Sequence, residues 1–555
     1  MQSEQIPVEN RFSTSQFVAM KWYWQWLMLA LLSLLLFYPI LGNGFLSDDH
    51  LVLLKTGVQQ ELNVDGFFRP LSDLTLWLTF KLAGLHPLPY YLSQILLHAL
   101  NAVLLLQYLR KQLPAFAGFS LFATLLFLSY PFHSEAIVWV LGRGALMAGT
   151  FSMAAMLVLV SDMKQQWKIA SIAACYFIGM AAYETIIVLP VMVGAQLLIM
   201  RTPLKELIRM LAVLSITFLL HAWLRIAVSG AFLGGYGEGF FSGTFGMSNV
   251  LAMMKSAGRI MLPPSDNSRM LLMGSLVMLL VLGAACLVTW KRIRTAKNLK
   301  RFFLVQWCCF GTAMLLCIFL GVSTRTSESD RLLYLPSFFF CTLLAFMIMQ
   351  LFRKEKWRII VMALLLIVQV ALVQENNANW KRASDSVKRL MQEVKQFAGP
   401  GRLYIINLPS ETDGAYIFRV GFDEAFRLYG YDRSGVKVVN RLIRDEELLL
   451  PAVIIPQTEG KISLIRPGSF VLRGAIKGDT AGLTEVAGGL RLRTWMDSML
   501  TAEQGWNFAD AATAMQLQQF IRRQRMKVEE VQVIWPQPGD RVLYWDRRQW
   551  VRFPF

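Results

Sequence analysis

Acidic side chains stand at a few points of this 555-residue chain where long apolar runs end. Two adjacent aspartates, Asp48 and Asp49, follow the first apolar run directly. A carboxylate in such a place can accept the proton of a hydroxyl group that attacks an electrophilic carbon. The alternative interpretation is that the two aspartates are only the solvated start of a loop.

Arginines occupy the same kind of position at Arg69, Arg143 and Arg331. A planar guanidinium group suits phosphate well, and an arginine in such a place can also simply anchor a helix end at the lipid headgroups. Charged groups near a bilayer are costly unless they face a cavity or a partner, and they therefore often mark function. The same argument adds four supporting residues to the predicted site: His98, His133, Glu135 and Glu184. A structural interpretation remains open for each, since a histidine such as His98 is often a hydrogen-bonded core residue.

The elements that position these residues are apolar runs long enough to cross a membrane. The chain is 55% hydrophobic and 17% charged, whereas soluble domains carry about 25% charged residues. A spanning helix needs about 20 mostly apolar residues, and the chain contains eleven candidates. They cover residues 24–46, 88–109, 115–132, 144–161, 168–183, 185–200, 207–229, 269–290, 302–322, 331–352 and 357–375. The predicted fold is an α-helical polytopic membrane protein with about 11 transmembrane helices.

The basic residues between these runs predict the orientation. If residues 1–23 are a cytoplasmic segment, every strongly basic connector falls on the cytoplasmic side, as membrane proteins require. These connectors contain Arg110 and Lys111, Lys164 and Lys168, Arg201 to Arg209, Lys291 to Arg301, and Arg353 to Arg358. The net charge of +18 therefore reflects the orientation of the chain in the membrane. The basic connectors are also attracted to anionic membrane lipid. No basic stripe with interleaved aromatic residues predicts a nucleic-acid partner.

An odd number of spans places the C-terminal part of the chain on the extracytoplasmic side, together with the predicted site. The membrane domain is then residues 24–375, and residues 376–555 are predicted to form a soluble α/β or α+β domain. Its strand-like runs are RLYIINLP, VKVVNRLI, AVIIP, KISLI, SFVLRGAI and the hairpin RVLYWDRRQWVRF, and helical patterns cover 380–397 and 513–527. The stretches PLSDLTLWLTFKLAGL and 246–263 are apolar but interrupted, which predicts helices lying along the membrane surface. All six cysteines lie in apolar runs, which argues against a disulfide framework or a metal site.

Short motifs follow one another along the membrane half in a specific order. They are FLSDDHLVLL, FFRPLSDLTLWL, LLHALNAVLLL, YPFHSEAIVWVLGRGALMAG, YETIIVLP and SESDRLLYLPS. Over about residues 40–380 this series resembles the multi-spanning glycosyltransferases of the GT-C fold. The resemblance is to the transmembrane and tetratricopeptide-repeat O-mannosyltransferases and their bacterial relatives. The chain departs from that family at five positions, where Tyr91, Gln94, Tyr130, Ala145 and Tyr183 replace the usual polar residues, and the α/β tail stands in place of the repeats.

The resemblance implies an inverting, GT-C-type glycosyltransferase, with hexosyl or mannosyl transfer expected. It would move a sugar from a polyprenyl-phosphate donor to a hydroxyl group of a protein, glycan or lipid acceptor on the extracytoplasmic side. Asp49 or Asp48 would be the base, with a slight preference for Asp49, and Arg331, Arg143 and Arg69 would bind the donor phosphate. The tail has no Asn-x-Ser/Thr sequon, which favours a bacterial inner (cytoplasmic) membrane.

Three alternatives stay open at this point. The paired aspartates could hold a divalent cation, but the sequence offers no convincing further ligand, so a reaction without metal or other cofactor is favoured. An oligosaccharide polymerase or ligase with a lipid-diphosphate donor would need arginine-rich outer loops late in the membrane region and not the first-loop aspartates. A non-catalytic transporter or sensor would show inverted repeats with interrupted spans, which are not found.

Overall fold

The computed structural model describes residues 20–62, 67–230, 254–265, 267–323, 327–397 and 401–439 except 407, 410 and 433, and beyond these Gly539 and separate strands. The chain divides into two compact units. The first consists of Met1–Phe45, Val52–Lys381 and Asp413–Ala415. The second consists of Leu46–Leu51, Arg382–Thr412 and Tyr416–Phe555. The short segment that carries the paired aspartates thus belongs to the second unit.

Helices make up almost all of the described part of the first unit. In chain order, the α-helices whose bounds lie within the described residues are α1 (Trp22–Phe37), α2 (Asp48–Val52), α3 (Pro70–Ala83), α4 (Leu88–Gln112), α5 (Ala117–Leu128), α6 (Ser134–Val138), α7 (Arg143–Leu159), α8 (Gln165–Met180), α9 (Leu189–Met200), α10 (Leu204–Ser229), α11 (Ser268–Ile293), α12 (Lys297–Leu320), α13 (Tyr334–Leu351), α14 (Glu355–Gln396) and α15 (Phe422–Tyr429). Short 3-10 turns lead into four of them: Pro131–His133 before α6, Val140–Gly142 before α7, Glu184–Val188 before α9 and Asp330–Leu333 before α13. The predicted α-helical polytopic fold is confirmed.

Each of the eleven predicted spans coincides with a helix, but fewer of them have the length of a span. Within the described residues, eight helices are long and apolar enough to cross a membrane, or nine if α5 and the bent segment Pro131–Val138 form one span. Two of the eleven predicted spans are missing from this set of nine. They are the runs that form α8 and Glu184–Met200, a shorter apolar helix. The 16 residues of α8 rise about 24 Å at about 1.5 Å per residue, less than the roughly 30 Å of a hydrocarbon core. A break at 181–183 separates these two helices, with Tyr183 in an extended conformation directly before the 3-10 turn that begins at Glu184.

The long helices differ in which faces they bury. Nearly every side chain of α13 is buried, so this helix lies at the centre of the first unit. By contrast, α11 exposes Met270, Leu280 and Leu287, and α10 exposes Leu219 and Trp223. Apolar surfaces of this extent are stable in lipid and costly in water. The protein is therefore an integral membrane protein.

The last helix of the membrane half runs through one predicted boundary. α14 is continuous over 42 residues, about 63 Å at about 1.5 Å per residue, so the predicted break at 375/376 falls inside it. The helix predicted for 380–397 is the continuation of the last span. No glycine or proline interrupts Glu355–Gln396, and nothing local therefore stops the helix where the apolar run ends.

Strands account for most of the described structure of the second unit. They are β1 (Leu403–Ile406), β2 (Glu411–Thr412), β3 (Ala415–Tyr416), β4 (Val436–Val439), β5 (Leu442–Arg444), β6 (Val453–Gln457), β7 (Lys461–Ile465), β8 (Phe470–Leu472), β9 (Leu483–Ala487), β10 (Leu490–Trp495), β11 (Lys527–Val533), β12 (Arg541–Asp546) and β13 (Gln549–Arg552). One sheet has the order β13-β12-β1-β4 with β1 parallel to both neighbours, and a second, antiparallel sheet has the order β5-β8-β11-β10-β9. Buried Leu543, Trp545 and Trp550 line the hairpin of β12 and β13.

Every predicted strand-like run contains a strand, and the terminal hairpin is antiparallel as expected. The strands β2, β3 and β9 to β11 and the helix α15 were not predicted. A signal was present in two of them, since LRLRTW alternates in β10 and Phe422, Ala425 and Phe426 recur at helical spacing in α15. Of the helix predicted at 513–527, residues 513–526 lie outside the described residues, and Lys527 begins β11 instead. Residues 246–253 of the second predicted surface helix also lie outside them. The first surface stretch is the helix α3, and its position along the membrane remains a prediction.

Candidate active site

The polar residues of the first unit lie where 3-10 turns enter α-helices. Glu135 is in the first turn of α6, Arg143 begins α7, Glu184 begins the turn before α9, and Arg331 lies in the turn before α13. The turn at Gly142 passes close to α6, where a β-carbon would stand 2.4 Å from the Glu135 carbonyl oxygen. Only glycine fits such an approach, so Gly142 allows the segments that carry Arg143 and Glu135 to lie close together.

Arg331 and Glu135 form the first ion pair of this region. The Arg331 backbone N–H donates to Glu135 Oε2 at 2.7 Å, and its guanidinium pairs with Oε1 of the same carboxylate. The guanidinium also stacks on the ring of Trp139, 5.1 Å from its centroid. The Glu135 side chain is fully buried, whereas that of Arg331 is 19% exposed. One side of the guanidinium is thus fixed by the protein and its outer part reaches the surface of the first unit.

Glu184 forms a second centre between two arginines. Arg69 donates to both carboxylate oxygens, with Nε 3.0 Å from Oε2 and 3.2 Å from Oε1. Arg225 approaches from α10, with Nη2 3.1 Å from Oε1. The Arg69 side chain is 22% exposed and that of Arg225 7%. Two guanidinium groups on one carboxylate leave this centre with one net positive charge.

Tyr183 connects the two centres. Its hydroxyl accepts a hydrogen bond from Arg331 Nε at 3.0 Å, and its ring lies under the Arg69 guanidinium at 4.5 Å. The ring packs beside Gly144, where a β-carbon would stand 3.2 Å from Tyr183 Cδ2. Tyr183 is one of the five positions at which the chain departs from the family that the sequence resembles. A neutral ring at this point brings two arginines together with no third cation between them.

Arg259 and Asp330 form a third pair, and the sequence did not predict that these two residues meet. The Arg259 side chain is fully buried, pairs with Asp330, donates from Nε to the Ser323 carbonyl at 2.9 Å and stacks on Phe132 at 5.0 Å. Asp330 directly precedes Arg331, so the pair fixes the turn that carries Arg331. The sequence signal was an arginine within an apolar stretch, which we assigned to a surface helix.

Arg143 has different surroundings from Arg69 and Arg331. Its Nη1 donates to the Thr75 carbonyl and to Thr79 Oγ1, both at 3.0 Å, and Nη2 donates to Ser93 Oγ at 2.9 Å. The residue is 4% exposed. These contacts join the start of α7 to α3 and α4, so in this structure Arg143 holds three helices together.

The two histidines named with the site belong to the core of the helix bundle. Asn101 Nδ2 donates to the Tyr334 hydroxyl at 2.9 Å, and that hydroxyl is 2.8 Å from His98 Nδ1. His98 Nε2 lies 3.1 Å from the Leu128 carbonyl, an acceptor, so the proton of His98 is on Nε2 and Nδ1 accepts from Tyr334. His133 Nε2 bonds Ser337 Oγ at 2.7 Å. Both histidines are fully buried, and the structural interpretation fits them best.

The paired aspartates lie in the second unit and differ from each other. Asp49 is fully buried, and its Oδ2 accepts the Leu46 backbone N–H at 3.0 Å. The Asp48 side chain is 18% exposed, accepts from Ser47 Oγ at 3.1 Å and faces Arg419 Nη2 at 3.4 Å. The two neighbouring carboxylates therefore differ in burial and in their hydrogen-bond partners. Arg419, far along the chain in the tail, was not singled out by the sequence.

Metal binding is a separate question at these carboxylates. Across the residues that the structure describes, no group of three or more His, Cys, Asp and Glu side chains is placed to hold a metal ion. Next to the aspartates, burial lowers the pKa of His50 to about 4, so its ring is neutral at neutral pH. The metal-independent reaction remains a prediction.

Asp73, on α3, leads to a prediction about pH and stability. Burial raises the pKa of Asp73 to about 7, against an opposing effect of the Arg69 charge. Between about pH 4 and 7 the folded protein therefore holds a proton that the unfolded chain releases, and stability falls as pH rises through this range. We expect the apparent melting temperature in detergent to fall from pH 5 to pH 8.

The variant Asp73→Asn should lose this part of the pH dependence, because the amide mimics the protonated acid. Asp162→Asn is the control, since the Asp162 side chain is 98% exposed. Melting curves at several pH values make the comparison. Equal pH dependence in wild type and Asp73→Asn would show that Asp73 is ionised throughout.

No family model matches the sequence. The protein O-mannosyl-transferase TMTC3 of Mus musculus is 38% identical over 90 residues, 16% of this chain and 10% of that protein. F38B6.6 of Caenorhabditis elegans, also a protein O-mannosyl-transferase, is 26% identical over 166 residues, 29% of this chain and 23% of that protein. The matched region thus spans no more than about a quarter of the length of these relatives.

Two solved structures are also similar in part. ArnT from Cupriavidus metallidurans bound to undecaprenyl phosphate has a TM-score of 0.36 at 12% identity, covering 76% of this chain and 86% of that one. The mycobacterial arabinofuranosyltransferase AftD has a TM-score of 0.42 at 12% identity, covering 76% and 32%. Scores this low support no argument about the site. The sequence matches confirm the resemblance that the motifs predicted: this integral membrane protein is similar, over stretches of 90 to 166 residues, to protein O-mannosyl-transferases.

Proposed function

We propose that this protein is a membrane glycosyltransferase. It transfers a sugar, a hexose such as mannose, from a polyprenyl-phosphate donor to a hydroxyl group of a protein, glycan or lipid, with inversion. The observation that supports the donor most directly is the buried cluster of arginines and carboxylates in the first unit. Arg69, Arg225, Arg259 and Arg331 face three carboxylates there, which leaves one net positive charge. Such a charge suits a monoanionic or dianionic headgroup.

The two partly exposed arginines, Arg331 and Arg69, bind the donor phosphate in this proposal. Each is oriented by a carboxylate and by the aromatic ring of Tyr183 or Trp139, so its guanidinium is fixed before the ligand arrives. Donors fixed in advance stabilise developing charge better than groups that must reorganise. Arg143, predicted to share this role, is given a positioning role here because its contacts join three helices.

The acceptor role falls to the paired aspartates, with Asp48 as the base. The resemblance favoured Asp49, but Asp49 is fully buried and engages the Leu46 backbone. A base must contact the hydroxyl that it deprotonates, and the partly exposed Asp48 meets this requirement in the described conformation. Asp49 then holds the start of α2 in place.

The proposed reaction is a single displacement. The acceptor oxygen bonds to the anomeric carbon while the bond from that carbon to the phosphate oxygen breaks. The hydroxyl proton passes to the Asp48 carboxylate, and the lipid phosphate leaves with the electron pair of the broken bond. The arginines compensate its charge, and neither a metal nor another cofactor is required in these steps.

Purified protein in detergent, supplied with polyprenyl-phosphate-linked mannose and a set of hydroxyl acceptors, tests the proposal. We expect a glycoside of inverted anomeric configuration and release of the polyprenyl phosphate. Transfer from a lipid diphosphate only would support the polymerase or ligase instead. Uptake of sugar into vesicles without any transfer would support a transporter.

The proposed location is the bacterial inner membrane with the second unit outside. A single cysteine at the exposed Asp432, in a cysteine-free protein, should react with a membrane-impermeant maleimide in intact cells. A cysteine at the exposed Lys164 should react only after permeabilisation, because basic loops stay inside. Protection of the cysteine at Asp432 in intact cells would mean that the number of spans is even.

A further inference from the structure

The segment that carries the paired aspartates is bonded to the C-terminal part of the chain within the second unit. The Ser47 backbone N–H donates to the Ile417 carbonyl at 2.9 Å. In return, the Val420 backbone N–H donates to Ser47 Oγ at 3.2 Å. Residues 417–421, which we call the clamp segment, therefore hold Ser47 through reciprocal hydrogen bonds, one residue before Asp48.

Packing at Gly421 makes this contact unusually close. Gly421 has a φ of +83°, and a β-carbon there would stand 2.4 Å from the Ser47 carbonyl oxygen. That carbonyl accepts the His50 backbone N–H at 3.2 Å and faces His50 Nδ1 at 3.1 Å. The His50 ring stacks on Phe418 with 5.6 Å between ring centroids. A side chain at residue 421 would therefore displace the turn on which Asp48 begins α2.

Charge adds a direct contact to Asp48 itself. Arg419 Nη2 lies 3.4 Å from Asp48 Oδ2, with the two side chains 31% and 18% exposed. The guanidinium also lies over the Tyr416 ring at 4.6 Å, which limits its freedom. Arg419 is thus held by its own segment and constrains one oxygen of the Asp48 carboxylate.

From these contacts we infer that the clamp segment of the tail positions Asp48, with Arg419 as a positioning residue for the base. The tail is then part of the catalytic machinery, whatever else it binds. The contacts do not depend on the proposed function, and only their effect on sugar transfer rests on it. The experiment therefore needs one measurement of structure and one of turnover.

Gly421→Ala and Gly430→Ala form a matched pair for the structural measurement. Both glycines flank α15 with positive φ, but a β-carbon at Gly430 meets nothing within 4 Å. Hydrogen exchange of the full-length protein, followed by mass spectrometry, should be about tenfold or more faster for residues 46–50 in Gly421→Ala only. Equal exchange of this segment in the two variants would overturn the clamp.

Turnover and donor affinity form the second measurement. Gly421→Ala should lower kcat about tenfold or more, while its affinity for polyprenyl phosphate stays that of wild type. Arg419→Gln should lower kcat about two- to fivefold, and Arg419→Lys should restore part of it, since exposed pairs are individually weak. Arg427→Gln, on the exposed face of α15, is the control.

The two measurements separate the inference from the function on which it rests. Faster exchange with unchanged transfer in Gly421→Ala would keep the clamp and reject Asp48 as the base. If no variant and not even the wild type transfers sugar, the exchange comparison alone still decides on the clamp. A loss of donor affinity in Gly421→Ala would contradict a role confined to Asp48.

Discussion

Replacing Asp48 with asparagine is expected to reduce sugar transfer about 10²–10⁴-fold, which is the usual contribution of a general base. The amide keeps the size of the side chain and its contact with Ser47 but no longer accepts the proton of the acceptor hydroxyl. The affinity for polyprenyl phosphate should be unchanged, because the proposed role of Asp48 is toward the acceptor hydroxyl and that of Arg331 and Arg69 is toward the donor phosphate. Turnover and donor binding, measured on the same purified samples, check both statements.

Asp49→Asn is the matched comparison for this prediction. Asp49 is fully buried and accepts the Leu46 N–H, so its replacement should act mainly on the start of α2 and on stability. A larger loss of turnover in a stable Asp49→Asn protein would restore Asp49 as the base, as the resemblance had favoured. If Asp48→Asn together with Asp49→Asn keeps more than about a tenth of the wild-type turnover, the carboxylate mechanism is wrong.

Removing the guanidinium of Arg331 is expected to weaken polyprenyl-phosphate binding roughly ten- to a hundredfold, because hydrogen bonds to charged groups contribute about 1.5–3 kcal/mol. Arg331→Ala by itself is a poor test, since it removes the guanidinium that pairs with the fully buried carboxylate of Glu135. Breaking a buried pair in this way costs about 3–5 kcal/mol and can unfold the protein. The better test removes both charges, with Arg331→Gln and Glu135→Gln together.

Glu135→Gln alone is the control for that double variant. Both proteins lack the ion pair, and they differ only in the guanidinium at residue 331. Binding of polyprenyl phosphate to each, by calorimetry in detergent, isolates the contribution of Arg331. Arg331→Lys should restore only part of the affinity, because an ammonium group lacks the planar pair of donors. Equal affinity in the double variant and its control would exclude Arg331 from the donor site.

Tyr183 shows why these arginines act together. It accepts from Arg331 Nε and carries the Arg69 guanidinium on its ring, so two ion pairs share one neutral side chain. Two guanidinium groups held near each other repel, and the carboxylates of Glu135 and Glu184 offset that repulsion. In the proposed function, an incoming phosphate uses both arginines without having to bring them together.

Much of the fold could be predicted from the sequence because apolar length is a local property. Each of the eleven apolar runs forms a helix, and each strand-like run of the tail contains a strand. The sites at Glu135, Glu184 and Arg331 were visible because charged residues at the ends of apolar runs are rare and costly. The resemblance added the expected chemistry of a family but not the geometry of these residues.

Only the tertiary structure decided which of these residues meet. Arg69 pairs with Glu184 across 115 residues, Arg331 with Glu135 across 196, and Arg419 with Asp48 across 371. No local pattern encodes such pairs, because they depend on how helices and turns pack and not on their own composition. The sequence therefore determined that charges gather at the helix ends, and the packing of those ends decided which arginine faces which carboxylate and that the tail holds Asp48.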